Sequence, residues 1–235
     1  MSNLSSIKLF ATHPHPCSYL PDEESTTVFV DPATKIDLPL YTELSHYGFR
    51  RSGNHLYRPQ CADCQACIPI RIPVAEFKPN RKQSRCLKKN NDLSTSKIAS
   101  IDNDECYTLY EKYIEQRHND GDMHPPSRNQ FTEFLSNQWN ATQYYGFRKD
   151  DKLLAVAVCD QLENGLSAIY TFFDPDESKR SLGMYCILQE IQWAQKLKLP
   201  WLYLGYWIKT CKKMNYKNEF KPYQLMLNNH WVSVG

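Results

Sequence analysis

Three equally spaced cysteines give the strongest local signal for chemistry in this chain. Two residues separate Cys61 from Cys64, and two more separate Cys64 from Cys67. Tight turns bring thiolates at this spacing to one centre in zinc and iron–sulfur sites. The spacing therefore predicts three metal ligands and requires a distant fourth. Cys17 is the first choice for the fourth ligand, and the substitutes are His13, His15 and His55.

The alternative for these cysteines is that several of them are only small buried hydrophobic residues. The chain has nine cysteines in all, an odd number that disfavours a disulfide scaffold. The remaining five are isolated in the sequence and are predicted to be core or surface residues: Cys86, Cys106, Cys159, Cys186 and Cys211.

Two stretches concentrate positive charge, although the formal net charge of the chain is only +2. The first has no acidic residue and contains Lys78, Arg81, Lys82, Arg85, Lys88 and Lys89. The second, residues 196–221, includes Lys212, Lys213 and Lys217 and has Glu219 as its one acidic residue. Basic groups hold phosphates and aromatic faces stack bases, so the two runs predict an RNA partner. The alternative is a pair of ordinary solvated surfaces.

Several function classes are excluded by what the sequence lacks. Its 8 glycines among 235 residues form no Gly-x-Gly pattern, so Rossmann and P-loop nucleotide sites are not expected. There is likewise no Gly-x-Ser-x-Gly elbow and no His-Glu-x-x-His zinc motif. No apolar run approaches a membrane span and no export signal is evident, so a soluble, cytoplasmic protein is expected.

The apolar periodicity predicts a mixed α+β fold. A small N-terminal domain carrying the cysteines is expected over residues 1–100, and a second domain over residues 101–235. Residues 2–27 are expected to be loop. Helices are predicted near residues 38–47, 104–118, 127–139 and 184–197, and an edge strand over 68–74 because of its prolines. An antiparallel meander is predicted over 143–149, 153–160 and 166–173, followed by a buried strand over 201–208.

The element order over residues 104–208 resembles an acyltransferase domain of the Gcn5-related type. In that fold the loop before the last helix binds the pyrophosphate of coenzyme A through glycine-rich backbone. Here the loop has a single glycine, Gly183, beside Lys179 and Arg180. An anion is still favoured at this helix N-terminus, but the degenerate loop predicts a different acyl donor.

Motifs along nearly the whole chain resemble those of the bacterial aspartate/glutamate leucyltransferases, within the arginyl-tRNA-protein transferase family. Any one of them is weak alone, whereas the set is specific. The matching stretches are Cys17–Pro21, Gly48–Gly53, Tyr57–Arg71, Arg81–Arg85, Tyr113–His118, Gly121–Met123, Tyr170–Pro175, Ser181–Gly183, Tyr203–Ile208 and Lys213–Lys217, with Phe220 and Pro222.

This resemblance implies transfer of an amino acid, leucine in the bacterial subfamily, from aminoacyl-tRNA to proteins that begin with Asp or Glu. The product would be marked for degradation by the N-degron pathway. The expected partners are leucyl-tRNA and such acceptor proteins, without a membrane, and the enzyme is expected to be a monomer. No cofactor is required for the chemistry. Eukaryotic relatives have a second cysteine where this chain has Leu20. The resemblance therefore does not decide whether the chain holds a structural zinc, an iron–sulfur cluster or neither.

Site residues follow from the chemistry that this reaction requires. The predicted proton acceptor is Asp174 or His118, and Tyr170 and Tyr206 are predicted oxyanion donors or pocket walls. An acidic N-terminal residue calls for a guanidinium, from Arg58, Arg71 or Arg117. A leucyl group needs an apolar pocket, for which Phe172, Trp207 and Met214 are candidates. The alternative for each of these residues is a purely structural role.

Three other functions remain open from the sequence. The first is arginine as the donated group. The second is an N-acetyltransferase that uses coenzyme A. The third is a noncatalytic protein that binds zinc and RNA.

Overall fold

The computed structural model describes residues 7–234 as a mixed α/β structure built around an eight-stranded sheet. The helices are α1 Leu38–His46, α2 Arg81–Lys89, α3 Asp104–Arg117, α4 Arg128–Leu135 and α5 Leu182–Lys196. The strands are β1 Leu9–Ala11, β2 His15–Pro16, β3 Glu24–Ser25, β4 Thr27–Val30, β5 Arg50–Ser52, β6 His55–Pro59, β7 Ile68–Pro73, β8 Ser94–Ile98, β9 Thr142–Lys149, β10 Lys152–Leu162, β11 Gly165–Phe173, β12 Trp201–Trp207, β13 Tyr223–Leu227 and β14 His230–Val234. Two 3₁₀ helices span Pro175–Arg180 and Asn215–Glu219.

The central sheet has the strand order β14-β13-β7-β12-β11-β10-β9-β8. Strands β9, β10 and β11 form the predicted antiparallel meander. The two strands β7 and β8 precede residue 100 and yet belong to this sheet, so it is built from both halves of the chain. A separate four-stranded sheet, β1-β4-β6-β5, is formed by N-terminal residues.

Most of the predicted elements are present with shifted ends. The helix at 127–139 is shorter than predicted. Ser127 caps its start, because its Oγ accepts a hydrogen bond from the Gln130 amide. Residues 7–27 contain the short strands β1, β2 and β3 where loop was expected, and residues 2–6 lie outside the described part of the chain.

The edge position predicted for residues 68–74 is wrong, because β7 lies between β12 and β13. Strand β13 pairs only with Ile70 and Arg71 of β7. Pro69 and Pro73 flank this short pairing, so their missing amide hydrogens remove no bond from the ladder with β13. An interior strand thereby accommodates two prolines.

A buried ion pair joins the N-terminal sheet to the central sheet. Arg51 on β5 donates to Asp160 on β10 at 2.6 Å, and both side chains are 0% exposed. Asp160 also accepts hydrogen bonds from the Tyr41 hydroxyl at 2.5 Å and from the Thr142 hydroxyl at 2.6 Å. The carboxylate therefore ties β5, α1 and β9 to β10.

The hydrogen bonds of Arg51 continue into the main chain of α4. Its guanidinium donates to the carbonyl oxygens of Phe134, Leu135 and Ser136. Burial lowers the pKa of Arg51, but the Asp160 carboxylate more than offsets this, so the net pKa is raised. Arg51 therefore stays charged inside the protein.

Within the described residues, no helix is both long and apolar enough to cross a membrane.

We expect Asp160→Asn to lower the free energy of unfolding by about 3–5 kcal/mol, because it leaves the Arg51 charge buried without a counterion. Urea denaturation measures this loss. The matched control is Asp102→Asn, which breaks a pair with Arg128 whose side chains are 41% and 52% exposed. It should cost less than about 1 kcal/mol. Equal losses in the two variants would show that the buried Arg51–Asp160 pair contributes no more to the free energy of unfolding than an exposed pair does.

Candidate functional site

The central sheet opens between β11 and β12. These parallel strands pair only where residues 165–167 face residues 201–203. Beyond that point β11 continues to Phe173 and β12 to Trp207 without pairing to each other. Diverging parallel strands leave main-chain groups unpaired and open a gap at their carboxyl ends, where ligands bind in open α/β sheets.

Arg50 occupies the point where the two strands separate. Its Nη1 donates to Ser167 Oγ at 2.6 Å, and its Nη2 donates to the Ala168 carbonyl oxygen. Gly205 on β12 has a φ of +81°, and a Cβ at this position would lie 3.2 Å from Arg50 Nε. Glycine therefore allows the backbone to adopt this conformation and the guanidinium to approach it. Both hydrogen bonds are accepted by neutral oxygens, so they do not neutralise the positive charge of Arg50.

Glu190 is a fully buried carboxyl group on α5, the helix that packs on β11 and β12. Neither Oε1 nor Oε2 has a hydrogen-bond partner among the described residues. Burial raises the pKa of Glu190 to about 8, and the nearby Arg50 lowers it in part. Because burial disfavours the charged form, this carboxyl group holds a proton at neutral pH.

Lys217, in the second 3₁₀ helix, is a further ionisable group under the influence of Arg50. It is 7% exposed, and its Nζ donates to the Tyr206 carbonyl oxygen at 2.7 Å. Burial, followed by the nearby charge of Arg50, lowers the pKa of Lys217 to about 7. We call Arg50, Glu190, Lys217 and the diverging ends of β11 and β12 the splay cleft. The burial of this amine disfavours the predicted contact between Lys217 and tRNA.

The cysteine cluster borders the splay cleft. Burial raises the pKa of the half-buried Cys67 thiol to about 12, with smaller contributions from four neighbouring thiols, namely Cys17, Cys61, Cys64 and Cys211. Cys67 and Cys211 also act on the charge of Lys217. The four predicted cysteines therefore do come together. Cys211 joins them although no spacing in the sequence signals it.

The donor chemistry of this cluster suits zinc or an iron–sulfur cluster, but the arrangement does not. Nowhere in residues 7–234 are three Cys, His, Asp or Glu side chains placed so that they could hold a metal ion. The substitute ligands are exposed, and His15 Nδ1 lies 3.0 Å from the His13 carbonyl oxygen. His55 packs edge-on against Phe29. The thiols are neighbours without convergent ligand geometry, and no chemistry is assigned to a metal.

Asp174, a predicted proton acceptor, is held by two lysines. Its oxygens form ion pairs with Lys112 at 2.6 Å and Lys152 at 2.7 Å. Burial raises the pKa of Asp174, but these lysines reverse the effect and the net pKa is lowered. The carboxylate also accepts a hydrogen bond from the Asp176 amide. A paired carboxylate with a lowered pKa is a poor proton acceptor, so the geometry disfavours the catalytic role predicted for Asp174.

His118, Tyr170 and Arg117 gather near Tyr113 and Phe173. His118 Nε2 lies 3.0 Å from the Tyr113 hydroxyl, and the pKa of His118 is lowered by burial and then by Lys213 and Arg117. The Tyr170 ring packs against Tyr113, and the Arg117 guanidinium lies 5.4 Å from the centre of the Phe173 ring. Tyr170 and Phe173 belong to the part of β11 that pairs with β10 but not with β12, so these predicted residues lie beside one strand of the splay cleft. Their catalytic and acceptor roles stay predictions.

The other four aromatic and apolar predictions divide into two groups. The Tyr206 hydroxyl donates to the Gly48 carbonyl oxygen at 2.8 Å and is buried, so it is already engaged and is a poor candidate for an oxyanion donor. Phe172 is fully buried against Tyr110 and Phe131, which disfavours the pocket role predicted for it.

Trp207 and Met214, by contrast, are only partly buried. Trp207 Nε1 donates to the Asn215 carbonyl oxygen at 3.1 Å, and its ring lines a surface cavity of about 460 Å³ together with Tyr216 and Tyr223. Met214 Sδ lies 3.5 Å from Lys217 Nζ. The structure therefore leaves these two residues available for a donor pocket.

Arg71 is enclosed, contrary to the acceptor role predicted for it. Its guanidinium lies 3.6 Å from the centre of the Trp201 ring and 4.2 Å from that of Trp231, and the residue is 5% exposed. It also donates to Gln224 Oε1 at 2.8 Å. Arg58 is half-buried and donates to the Tyr47 carbonyl oxygen at 3.1 Å. Arg58 is also close enough to Tyr206 to influence its pKa.

The first basic run forms the exposed face of α2. The exposed residues of the run are Lys78, Arg81, Lys82, Arg85, Lys88 and Lys89. The buried side of the helix is fixed to the start of α5, because Asn90 donates to the Arg180 carbonyl oxygen at 2.9 Å.

The other residues predicted to contact tRNA differ in whether their charges are already paired with acidic side chains. Lys179, Lys212 and Lys213 are exposed, and Lys213 pairs with Asp120. Arg180 is only 12% exposed in its side chain and pairs with Asp92 and Glu177. Its charge is already compensated, which weakens its predicted contact with tRNA.

Two family models match the chain. The one described as "Arginine-tRNA-protein transferase, N terminus" matches residues 15–85, and the one described as "Arginine-tRNA-protein transferase, C terminus" matches residues 105–227.

Curated relatives match over the full length. The chain is 58% identical to the aspartate/glutamate leucyltransferase of Saccharophagus degradans over 99% of both chains. It is also 58% identical to that of Teredinibacter turnerae, over 100% of this chain and 97% of the relative. The identity to that of Pseudomonas fluorescens is 55% over 99% of both chains.

A solved structure is similar at a lower level. It is the C-terminal domain of a putative lysylphosphatidylglycerol synthetase from Agrobacterium fabrum, at 12% identity and a TM-score of 0.45. The match covers 74% of this chain and 53% of that one.

We expect Glu190→Gln to remove a pH dependence of stability. The folded pKa of Glu190 is raised, so the stability linked to its proton is complete below the ordinary carboxyl pKa and is lost as pH rises to about 8. The free energy of unfolding of the variant, relative to that of the unvaried protein, should therefore increase between about pH 5 and pH 8 and stay constant above pH 8. Urea denaturation across this range measures the difference. A constant difference would contradict burial of an uncompensated carboxyl group.

Proposed function

The chain belongs to the arginine-tRNA-protein transferase family, and on this premise we propose that it transfers leucine from leucyl-tRNA to proteins that begin with Asp or Glu. The observation that carries the proposal is the 58% identity, over nearly the whole chain, to aspartate/glutamate leucyltransferases. It is an aminoacyl-tRNA-protein transferase, and in this family the added residue creates a destabilising N-terminus for the N-degron pathway. The cytoplasm, where charged tRNA is found, is the expected location, and the enzyme acts as a monomer.

The reaction needs no resident cofactor. The leucyl ester on the terminal ribose is already activated, and the acceptor α-amine has a pKa near ~7.7–8, so a sizeable fraction of it is neutral. The enzyme must align the amine with the ester carbonyl, stabilise the oxyanion and move one proton. A splayed pair of parallel strands connected by a helix supports the Gcn5-related arrangement expected from the element order.

The splay cleft is the proposed place for the acceptor N-terminus. Arg50 lies where β11 and β12 separate, and it donates its hydrogen bonds to neutral oxygens. Its positive charge is therefore available to the side-chain carboxylate of an acceptor Asp or Glu. Lys217 adds a second basic group nearby. Trp207 and Met214, at the end of β12 and just beyond it, supply apolar surface for the leucyl group.

The exposed face of α2 is the proposed tRNA surface. Its basic residues lie on one side of a helix whose other side is fixed to the start of α5. A phosphate backbone lying along α2 would therefore be held at a defined position relative to the splay cleft. Lys179, Lys212 and Lys213 are exposed and extend the basic surface.

The transfer itself is tested with labelled leucine and labelled arginine on tRNA, offered with peptides that begin with Asp, Glu, Lys or Ala. We expect leucine to appear only on the Asp and Glu peptides. Arginine on the same peptides would keep the family and change the donor. Absence of any transfer would overturn the proposed function.

The acceptor site is tested by comparing Arg50→Lys, Arg58→Lys and Arg117→Lys. Lysine keeps the charge and loses the forked geometry, so the variant at the true site should lose about 10 to 100-fold of the preference for Asp over Asn peptides. We expect this loss in Arg50→Lys. The same loss in Arg58→Lys or Arg117→Lys, with Arg50→Lys unaffected, would move the acceptor site away from the splay cleft.

The tRNA surface is tested by the salt dependence of leucyl-tRNA binding. Replacing both Arg81 and Arg85 with Ala should reduce the slope of log Kd against log salt by about 0.7–0.9 for each phosphate contact that is lost. Lys35→Ala, at an exposed lysine outside both basic runs, is the control. An equal slope in all three proteins would exclude α2 from the interface.

A further inference from the structure

A surface cavity of about 460 Å³ lies at the carboxyl end of β12. Its lining includes Trp207, the last residue of β12, together with Tyr216 and Asn218 of the second 3₁₀ helix. The volume falls within the ~300–1,000 Å³ that is usual for ligand pockets. In open α/β sheets, ligands bind outside the carboxyl ends of the strands. The cavity is therefore a candidate binding site that shares Trp207 with the splay cleft.

Two hydrogen bonds tie the second 3₁₀ helix to the end of β12. Trp207 Nε1 donates to the Asn215 carbonyl oxygen at 3.1 Å, and Lys217 Nζ donates to the Tyr206 carbonyl oxygen at 2.7 Å. These bonds hold opposite walls of the cavity in place without a ligand. A preformed site loses less conformational entropy when its ligand binds.

The same 3₁₀ helix is also joined to α2, the proposed tRNA surface. Lys82 Nζ pairs with Glu219 Oε2 at 2.7 Å, and Gln83 Nε2 donates to the Glu219 carbonyl oxygen at 3.1 Å. Glu219 lines the cavity, and its pairing with a lysine of α2 offsets the repulsion that its carboxylate would exert on a phosphate. An RNA strand that leaves α2 in this direction would therefore reach the cavity.

The chemistry of the lining suits a base at the end of a single strand. Tyr216 is 42% exposed, so the face of its ring is accessible to a ligand. Unpaired RNA bases stack on such aromatic rings. An asparagine amide, as in Asn218, can form two hydrogen bonds with the edge of adenine. Lys209 is exposed on the lining and supplies a positive charge for a phosphate.

We propose that this cavity binds the 3′-terminal adenosine of leucyl-tRNA. The inference rests on the proposed function and adds the site for the base of the donor. The terminal adenosine carries the leucyl ester on its ribose, so its base must lie close to the leucyl group. Trp207 is one of the two residues proposed to contact that group, and it also lines the cavity. Tyr216 stacks on the adenine, and Asn218 binds its edge.

An acceptor protein suits this cavity less well. Acceptor proteins share an acidic first residue and differ in the residues that follow it. Every tRNA that carries an amino acid ends in the same adenosine. A preformed cavity with an aromatic wall and amide groups is therefore better matched to the invariant ligand.

The experiment measures the Kd of the full-length protein for two forms of leucine tRNA without its leucyl group, one complete and one lacking the 3′-terminal adenosine. For the unvaried protein, removal of the adenosine should raise Kd by about 5 to 150-fold, the range expected for stacking of one base. In Tyr216→Ala, the complete tRNA should bind as weakly as the shortened one, and the Kd of the shortened tRNA should stay unchanged. Tyr216→Phe keeps the ring and should bind both forms like the unvaried protein.

Tyr47→Ala is the matched control, because Tyr47 is 38% exposed and does not line the cavity. It should leave both Kd values unchanged. Contact with the adenine edge is tested with a tRNA that ends in guanosine. The unvaried protein should prefer the tRNA that ends in adenosine, and Asn218→Ala should lose most of this preference.

Three results would overturn the proposal. If the Kd of the unvaried protein did not depend on the adenosine, the base would have to lie elsewhere. Equal weakening of both tRNAs in Tyr216→Ala would make Tyr216 a general part of the interface. Saturable binding of coenzyme A that Tyr216→Ala abolishes, or a raised peptide KM with unchanged Kd for both tRNAs, would assign the cavity to another ligand. The expected Kd values without any leucine transfer would support the adenosine site and refute the proposed function alone.

Discussion

The buried pair of Arg51 and Asp160 is the interaction on which the placement of the site depends. It joins β5 of the N-terminal sheet to β10 of the central sheet, and Arg51 also holds the carbonyl oxygens of α4. Successive side chains of a strand point to opposite faces, so fixing Arg51 also fixes the direction of Arg50. Arg50 then reaches Ser167 and Ala168 at the point where β11 and β12 separate. Two adjacent arginines thus serve different purposes, one structural and one proposed for binding.

The splay cleft collects charges that would be costly elsewhere in a protein interior. Arg50, Glu190 and Lys217 come from three separate elements, and burial shifts the pKa of Glu190 upward and that of Lys217 downward. Each shift moves the group toward the neutral form, as expected for charges removed from water. Titratable groups with pKa values brought near 7 or 8 by burial are typical of active sites. A reaction between an amine and an ester, with an acidic side chain alongside, suits this set of groups.

The cysteine cluster shows how proximity differs from coordination. Cys17, Cys61, Cys64 and Cys211 are close enough to influence the Cys67 thiol, but no three ligand side chains in the described part of the chain are arranged to bind a metal. Tetrahedral sites demand sulfur atoms at fixed distances from one centre, which local spacing alone does not provide. The influence of Cys67 and Cys211 on Lys217 nevertheless links this cluster to the splay cleft.

The sequence by itself determined the mixed α/β class, most of the helices and strands, and the family. Local periodicity, caps and turn residues act over short stretches, and the family motifs are contiguous, so both can be read along the chain. It also predicted the exposed basic residues of α2. The order of strands escaped it, because the short pairing that tolerates Pro69 and Pro73 inside the sheet depends on β13, more than a hundred residues away. Only the tertiary structure decided that Lys217 is buried, that Asp174 is held by two lysines, and that Glu190 is buried without a hydrogen-bond partner among the described residues. Burial and electrostatic environment come from residues distant in sequence, and those quantities set which side chains are able to take part in chemistry.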